Sequence, residues 1–335
     1  MMTQNSKFTV EVTRGSMVES RHYGIGVVIN HLGHIQQSWG DPDQLIYPRS
    51  SIKPIQTLAL IETGAADQYQ LTDAEIALAS ASHSGSQSHV IAVEKWLKRI
   101  GLSADDLECG AHPPFGDLEN QVFYQTDIPL SKLHNNCSGK HAGFLTTALT
   151  MNEPIFGYSK PEHPVQQRLI KILQDMGDTD LSNNPRGIDG CGIPVIAMPI
   201  QSMALALARM ANPEHLSPAR NAACKHIIQA IGKYPENVAG IGRFDTTIMQ
   251  ITGGQNVVKG GAEAVYGAII PALGVGVALK IEDGGRRASE VIMAAILDRL
   301  GLFDDLPEKT RKNLLNVPVT NAAGDHAGVI KMGNF

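Results

Sequence analysis

The sequence predicts an α+β fold in which both ends of the chain build one antiparallel sheet and the middle forms a helical lobe over roughly residues 64–235. Three observations carry this. Apolar residues alternate at period two near the N-terminus, recur at helical spacing from Ser50 onward, and alternate again after Gly253-Gly254. No repeat, low-complexity tract or linker interrupts the 335 residues, so residues 1–335 are expected to form a single domain with the lobe inserted between the sheet-forming ends.

The elements follow in order. Residues 8–12 alternate as a strand, and residues 19–30 and 34–39 flank His31-Leu32-Gly33, a hairpin signal. From Ser50, Ile52, Ile55, Leu58 or Ala59 and Glu62 trace a helical face, with Pro54 in the first turn, where its missing N–H is not needed. Thr72 and Glu75 form a capping box that opens a short helix toward Ala81. Residues 90–100 make the next helix, stopped by Gly101. Further helices are expected over 139–149, 164–176, 201–210 and 219–231, the last between Ser217-Pro218 and Gly232. Strands over 257–270 and 275–281 precede the turn Asp283-Gly284-Gly285, and an amphipathic helix over 287–300 closes the pattern.

Composition narrows the functions. Hydrophobic residues are 43% and charged residues 18%, as in ordinary globular proteins. A formal charge of −5 gives no reason to expect nucleic acid or an anionic membrane as partner. The first sixteen residues lack the apolar core of a secretory leader, and apolar stretches such as 264–279 are broken by Gly and Pro and too short to span a bilayer. Four cysteines are no disulfide framework in a chain of this length, and a reducing cytoplasm is expected.

The first chemical signal is Ser50-Ser51-Ile52-Lys53, the single S-x-x-K or T-x-x-K of the chain. A three-residue step puts hydroxyl and amine on one helix face, where a neutral lysine can take the serine proton. Alone the motif is weak, since a helix cap beside a solvated lysine is the plainer reading. Lys259-Gly260-Gly261 at the start of a late strand supports it: serine β-lactamases and penicillin-binding proteins pair S-x-x-K with such a triplet, although Gly260 stands where Ser or Thr is usual. Ser80-Ala81-Ser82-His83-Ser84-Gly85 lies where that architecture places its second serine, and a polar turn after a helix explains it equally.

A second constellation joins Asn135-Asn136-Cys137-Ser138-Gly139-Lys140-His141 to Gly187-Ile188-Asp189-Gly190-Cys191-Gly192-Ile193-Pro194. Cys137 and Lys140 repeat the i, i+3 geometry at a helix start, a setting that favours the thiolate. Two thiolates with nitrogen donors suit zinc, while two buried cysteines or a disulfide are the simpler alternatives.

Together R-S-S-I-K-P, S-A-S-H-S-G, N-N-C-S-G-K-H-A-G and G-I-D-G-C-G-I-P resemble the asparaginase II family typified by the Rhizobium etli enzymes, over nearly the whole chain. The resemblance implies a serine β-lactamase-like fold, a homodimer, and hydrolysis of L-asparagine to L-aspartate and ammonia. Position by position it implies Ser50 as nucleophile and Lys53 as base, with Ser82 and Lys259 as a second Ser-Lys tandem. It implies one zinc per chain on Cys137, Lys140 and Cys191, and Arg49, His141 and Asp189 lining the substrate site. Within that picture Asp189 is the candidate for the substrate ammonium and Arg49 for its carboxylate. Cys109 and Cys224 match no motif and are expected to be ordinary buried residues. A glutaminase or other small-amide hydrolase on the same fold is the near alternative, because one methylene changes recognition by only about 1–3 kcal/mol. A non-catalytic zinc- or ligand-binding relative is the distant alternative, and the retained Ser-Lys pairs argue against it.

Overall fold

A computed structural model of the chain describes residues 6–333; the first five positions of the stretch read for a leader lie outside the described residues. Strands β1 (Phe8–Arg14), β2 (Met17–Asn30) and β3 (Ile35–Trp39) come first, and β4 (Arg186–Ile188) and β5 (Pro194–Ile196) form a separate small hairpin. Strands β6 (Val257–Gly261), β7 (Val265–Ile270), β8 (Val275–Ile281), β9 (Asn316–Thr320) and β10 (His326–Met332) follow. The main sheet runs β9-β10-β1-β2-β8-β7-β6, wholly antiparallel, with β3 also paired to β2. Both ends of the chain therefore meet in one sheet, as the alternating segments predict. β2 serves three partners because of its length: its first half pairs β1, its second half pairs β3 on the same side, and β8 lies on the other side.

Between the two sets of strands lie α1 (Lys53–Gln56), α2 (Leu58–Glu62), α3 (Asp73–Ala79), α4 (Gln87–Arg99), α5 (Ser138–Thr150), α6 (Pro164–Gly177), α7 (Ile200–Ala211), α8 (Pro218–Lys233) and α9 (Phe244–Ile251). Helices α10 (Arg286–Arg299) and α11 (Glu308–Leu315) come after β8. Period two sends the side chains of β2 to opposite faces. Ile25, Val27 and Ile29 pack with Met203 and Leu207 of α7 in the core shared with the helical middle. Val28 joins Phe8, Val10, Val277 and Leu279 against Val291, Ile292 and Leu297 of α10 in a second core. The sheet is thus the middle layer of three, buried on both faces over its centre. No helix of the described residues is long and apolar enough to cross a membrane.

Local signals explain most boundaries. The Thr72–Glu75 capping box is present and opens α3, and Ser217 caps α8 through the Arg220 N–H. Gly232 does not end α8, which runs one residue further to Lys233. The helix expected from Ser50 is broken into a 3₁₀ turn over Arg49–Ile52 followed by α1 and α2. Pro54 has no N–H to return to the Ser50 carbonyl, and the Thr57 hydroxyl donates back to the Lys53 carbonyl at 2.9 Å, both of which disfavour a continuous helix. The single strand expected over 257–270 is a hairpin, β6 and β7, turned by Glu263 and Ala264 at positive φ. Strands β9 and β10 were not expected at all.

Candidate active site

Lys53 and Lys259 are two of the most completely buried large side chains of the molecule, and both reach the same hydroxyl. Lys53 Nζ donates to Ser82 Oγ at 2.9 Å, to Cys137 Sγ at 3.1 Å and to the Ala81 carbonyl. Lys259 Nζ donates to Ser82 Oγ at 3.1 Å and to the Gly260 carbonyl at 2.6 Å, with Asp245 Oδ2 3.7 Å away. Lys53 comes from the start of α1, Ser82 from the segment after α3, and Lys259 from the middle of the edge strand β6. The Ser82 segment is held by its own N–H donating to the Val238 carbonyl at 2.8 Å. The His83 N–H donates to the Asn136 carbonyl, and the His83 ring contacts Ser138 Oγ at 2.9 Å.

Burial is the main force on both amines, because an ammonium loses its hydration there. It lowers Lys53, with Cys137 opposing and Lys140 adding to the fall. It brings Lys259 down to about 7, Asp245 opposing while Lys53 and Arg243 add their like charge. At least one neutral amine beside Ser82 is therefore accessible near neutral pH.

Ser50 and Ser82 line one cavity of about 280 Å³, together with Phe115, Asn136, Arg243, Gly260, Gly261, Ala262, Tyr266 and Arg286. Ser50 sits in the 3₁₀ turn one helical step before Lys53, but the Lys53 amine directs its hydrogen bonds to Ser82, Cys137 and Ala81. Gly261 lets β6 come up against this turn: a Cβ there would lie 2.9 Å from Ser51 Oγ and 3.2 Å from the Ser50 nitrogen. Asp245 fixes the strand from below, accepting from the Tyr266 hydroxyl at 2.6 Å and from the Gly260 N–H at 3.0 Å.

The cysteine motifs converge next to this cavity. Lys140 Nζ donates to Cys191 Sγ at 3.0 Å, and the two sulfurs of Cys137 and Cys191 hydrogen-bond to each other. The Cys137 thiol is raised, by that bond and by burial, and Cys191 is lowered by the same bond against burial, with Lys140 assisting. Burial opposes the charge on Lys140, but the two sulfurs and Asp189 outweigh it and hold the amine protonated. All four cysteines are free, and Cys109 and Cys224 are buried as expected. Among the described residues no group of three His, Cys, Asp or Glu side chains is gathered for a metal. Two sulfurs and one amine nitrogen joined through Cys191 nevertheless form a donor set of the soft type that zinc accepts, once Lys140 and Cys137 give up their protons. The enclosed His141 Nε2, without a partner among the described residues, adds an unsatisfied donor or acceptor to this neighbourhood.

The remaining expected residues include Arg49, which directly precedes Ser50 in the same 3₁₀ turn. Arg49 donates from Nε to Asp189 Oδ1 at 2.8 Å, and this pair lines a separate cavity of about 30 Å³. Asp189 stays low despite burial, held by Lys140 and Arg49. His141 contacts the Tyr158 hydroxyl at 2.8 Å and is driven to about 3, first by burial and then by Lys140, so its ring is neutral. Asn136, Arg243, Tyr266, Phe115 and Arg286 line the serine cavity without having been singled out. Asn136 stood inside a quoted motif, while Arg243 had as its one signal two glycines before a helix in Gly240-Ile241-Gly242-Arg243.

Among solved structures, a candidate β-lactamase from Bacteroides dorei DSM 17855 is similar at a TM-score of 0.41 and 12% identity, covering 88% of this chain and 94% of that one. No curated protein matches the chain. The sequence model of the L-asparaginase II family matches residues 10–332, which takes in every motif gathered here, and the chain belongs to that family.

Proposed function

We propose that the chain is an amidohydrolase, a reading its family membership supports. More specifically, we propose that it is an L-asparaginase that hydrolyses the side-chain amide of L-asparagine to L-aspartate and ammonia by serine acyl transfer. The observation that carries the reading is the Ser82 hydroxyl held between two buried lysines in the cavity that Ser50 also lines. Ser50 Oγ attacks the amide carbon and its proton moves toward Lys53, with Ser82 linking Lys53 to Lys259. The amide nitrogen takes a proton and departs as ammonia, and water then cleaves the β-aspartyl ester to release L-aspartate and restore the serine. Backbone N–H groups at the Ser50 turn would receive the oxyanion. A second reading, favoured by the two hydrogen bonds on Ser82, makes Ser82 the nucleophile. Trapped acyl adducts located by mass on Ser50→Ala and Ser82→Ala separate the two. Ammonia release from L-asparagine and L-glutamine in parallel tests the activity and its selectivity.

The pH profile follows from the lysines. Lys53 takes the serine proton only when neutral, and burial lowers it; Lys259, joined to it through Ser82 and also facing Asp245 and Arg243, is brought down to about 7. The activity should therefore climb from acidic pH, rising about tenfold per pH unit below the midpoint, and level off above neutrality. A rate that is flat from pH 5 to 9 would remove lysine as the base.

We further propose that Cys137, Lys140 and Cys191 hold one zinc per chain. When bound, the metal supplies a fixed positive charge beside the pocket. Because the serine already provides the nucleophile, Cys191→Ser is expected to abolish zinc retention and to raise KM for L-asparagine while kcat changes little. Metal analysis at several pH values, with kinetics before and after chelation, checks this. Retention should weaken as pH falls, since Lys140 must lose a proton to bind.

A further inference from the structure

We propose that Arg243 is the anchor for a free carboxylate, making the serine cavity a subsite for small α-amino acids. This rests on the reading of the cavity as an amide-hydrolysing site. Arg243 lines the cavity beside Ser50 and Ser82, and its Nε and Nη1 are enclosed without a hydrogen-bond partner among the described residues. Two enclosed guanidinium nitrogens without partners are costly, and the rest of this half-buried side chain lines the cavity. Asp245 is engaged by Tyr266, the Gly260 N–H and the nearby Lys259, and Glu290 is engaged by Arg286 at 2.9 Å. The other cation expected to take a carboxylate, Arg49, is spent on Asp189 in the separate cavity.

The chain goes to some length to place this side chain. Gly240 adopts a φ of 126° that L side chains rarely take, and a Cβ there would strike Ser84 Oγ at 2.6 Å. That close approach brings the segment carrying Arg243 against the segment carrying Ser82. A guanidinium offers a carboxylate two bidentate edges, Nε with Nη2 and Nη1 with Nη2, and each edge of Arg243 contains one of the unpartnered nitrogens. The cavity of about 280 Å³ has room for a molecule of amino-acid size beside the serines. The ligand class is thus an α-amino acid whose side chain bears the amide to be cut.

The test is calorimetric titration of the full chain, wild type, Arg243→Met and Arg243→Lys, with L-aspartate and separately with inorganic phosphate. Arg243→Met is expected to weaken L-aspartate binding roughly thirtyfold, and Arg243→Lys to recover part of the loss by charge alone. Hydrolysis gives a second readout. Relative to wild type, Arg243→Met should lose far more kcat/KM on L-asparagine than on 3-aminopropanamide, the same amide without the carboxylate. L-Aspartate binding equal to wild type in both variants would overturn the subsite, as would tighter binding of phosphate than of L-aspartate. If Arg243→Met does not fold, an undiminished affinity in Arg243→Lys still overturns bidentate capture. The two readings fail separately. Wild type that binds L-aspartate through Arg243 but releases no ammonia sinks the asparaginase assignment alone. Turnover of L-asparagine at unchanged KM in Arg243→Met sinks the subsite alone.

Discussion

Lys53→Met and Ser50→Ala are each expected to lower kcat on L-asparagine by roughly 10³–10⁴-fold, and the double variant should fall little further. A nucleophile and the base that activates it act as one unit, so removing either removes the step. Lys53 also links two parts of the pocket, through Ser82 on one side and Cys137 on the other. Ser82→Ala should cost at least about a hundredfold by cutting the contact between the two lysines. Ammonia release under saturating substrate, with circular dichroism to confirm folding, checks the series. A larger loss in Ser82→Ala than in Ser50→Ala would hand the nucleophile to Ser82. Removing a buried amine also relieves a desolvated charge, so Lys53→Met is expected to melt no lower than wild type.

Trp96→Ala should be the most damaging truncation in the helical layers, costing about 3–5 kcal/mol and lowering the melting temperature by on the order of 10 °C. Trp96 is fully buried on α4, and its indole N–H donates to Thr146 Oγ1 of α5 at 3.0 Å. The ring fixes α4 against α5, the helix whose first turns carry Lys140 and His141. The effect should therefore reach the site, with KM for L-asparagine disturbed before the fold is lost. Thermal melts of the pure protein, with and without added zinc, check it. A melting point within 2 °C of wild type would mean that the layer repacks around the void.

Residue order foretold the parts of this molecule that obey local rules. Capping at Thr72 and Ser217 and the period-two run of β2 locate their elements because backbone donors and buried faces are satisfied within a few residues. The turn between β6 and β7 escaped notice because Glu263 and Ala264 are poor turn formers, and the pairing of Gly261 with Val265 sustains it instead. Strand β9 contains Pro318, which argues against a central strand, and β9 indeed lies at the sheet edge. At the site, the S-x-x-K spacing pointed to Lys53 but not to its contact with Ser82, which depends on how α1 meets the end of α3. Arg243 belongs to no motif; its meaning comes from a cavity that only tertiary packing creates.

The seam between β1 and β10 has a further consequence, for synthesis. Val10 pairs with Met332, so one flank of β1 stays bare until residues 326–332 have left the ribosome. The other outer flank of the opening hairpin, along β2, waits for β8 at Val275–Ile281. Contacts between such distant positions slow folding, and unpaired strand flanks invite association with neighbouring chains in the meantime. The nascent protein is accordingly expected to need chaperone shelter late in translation. A stop codon placed after Leu315 should yield insoluble product even though the residues lining the serine cavity have all been made.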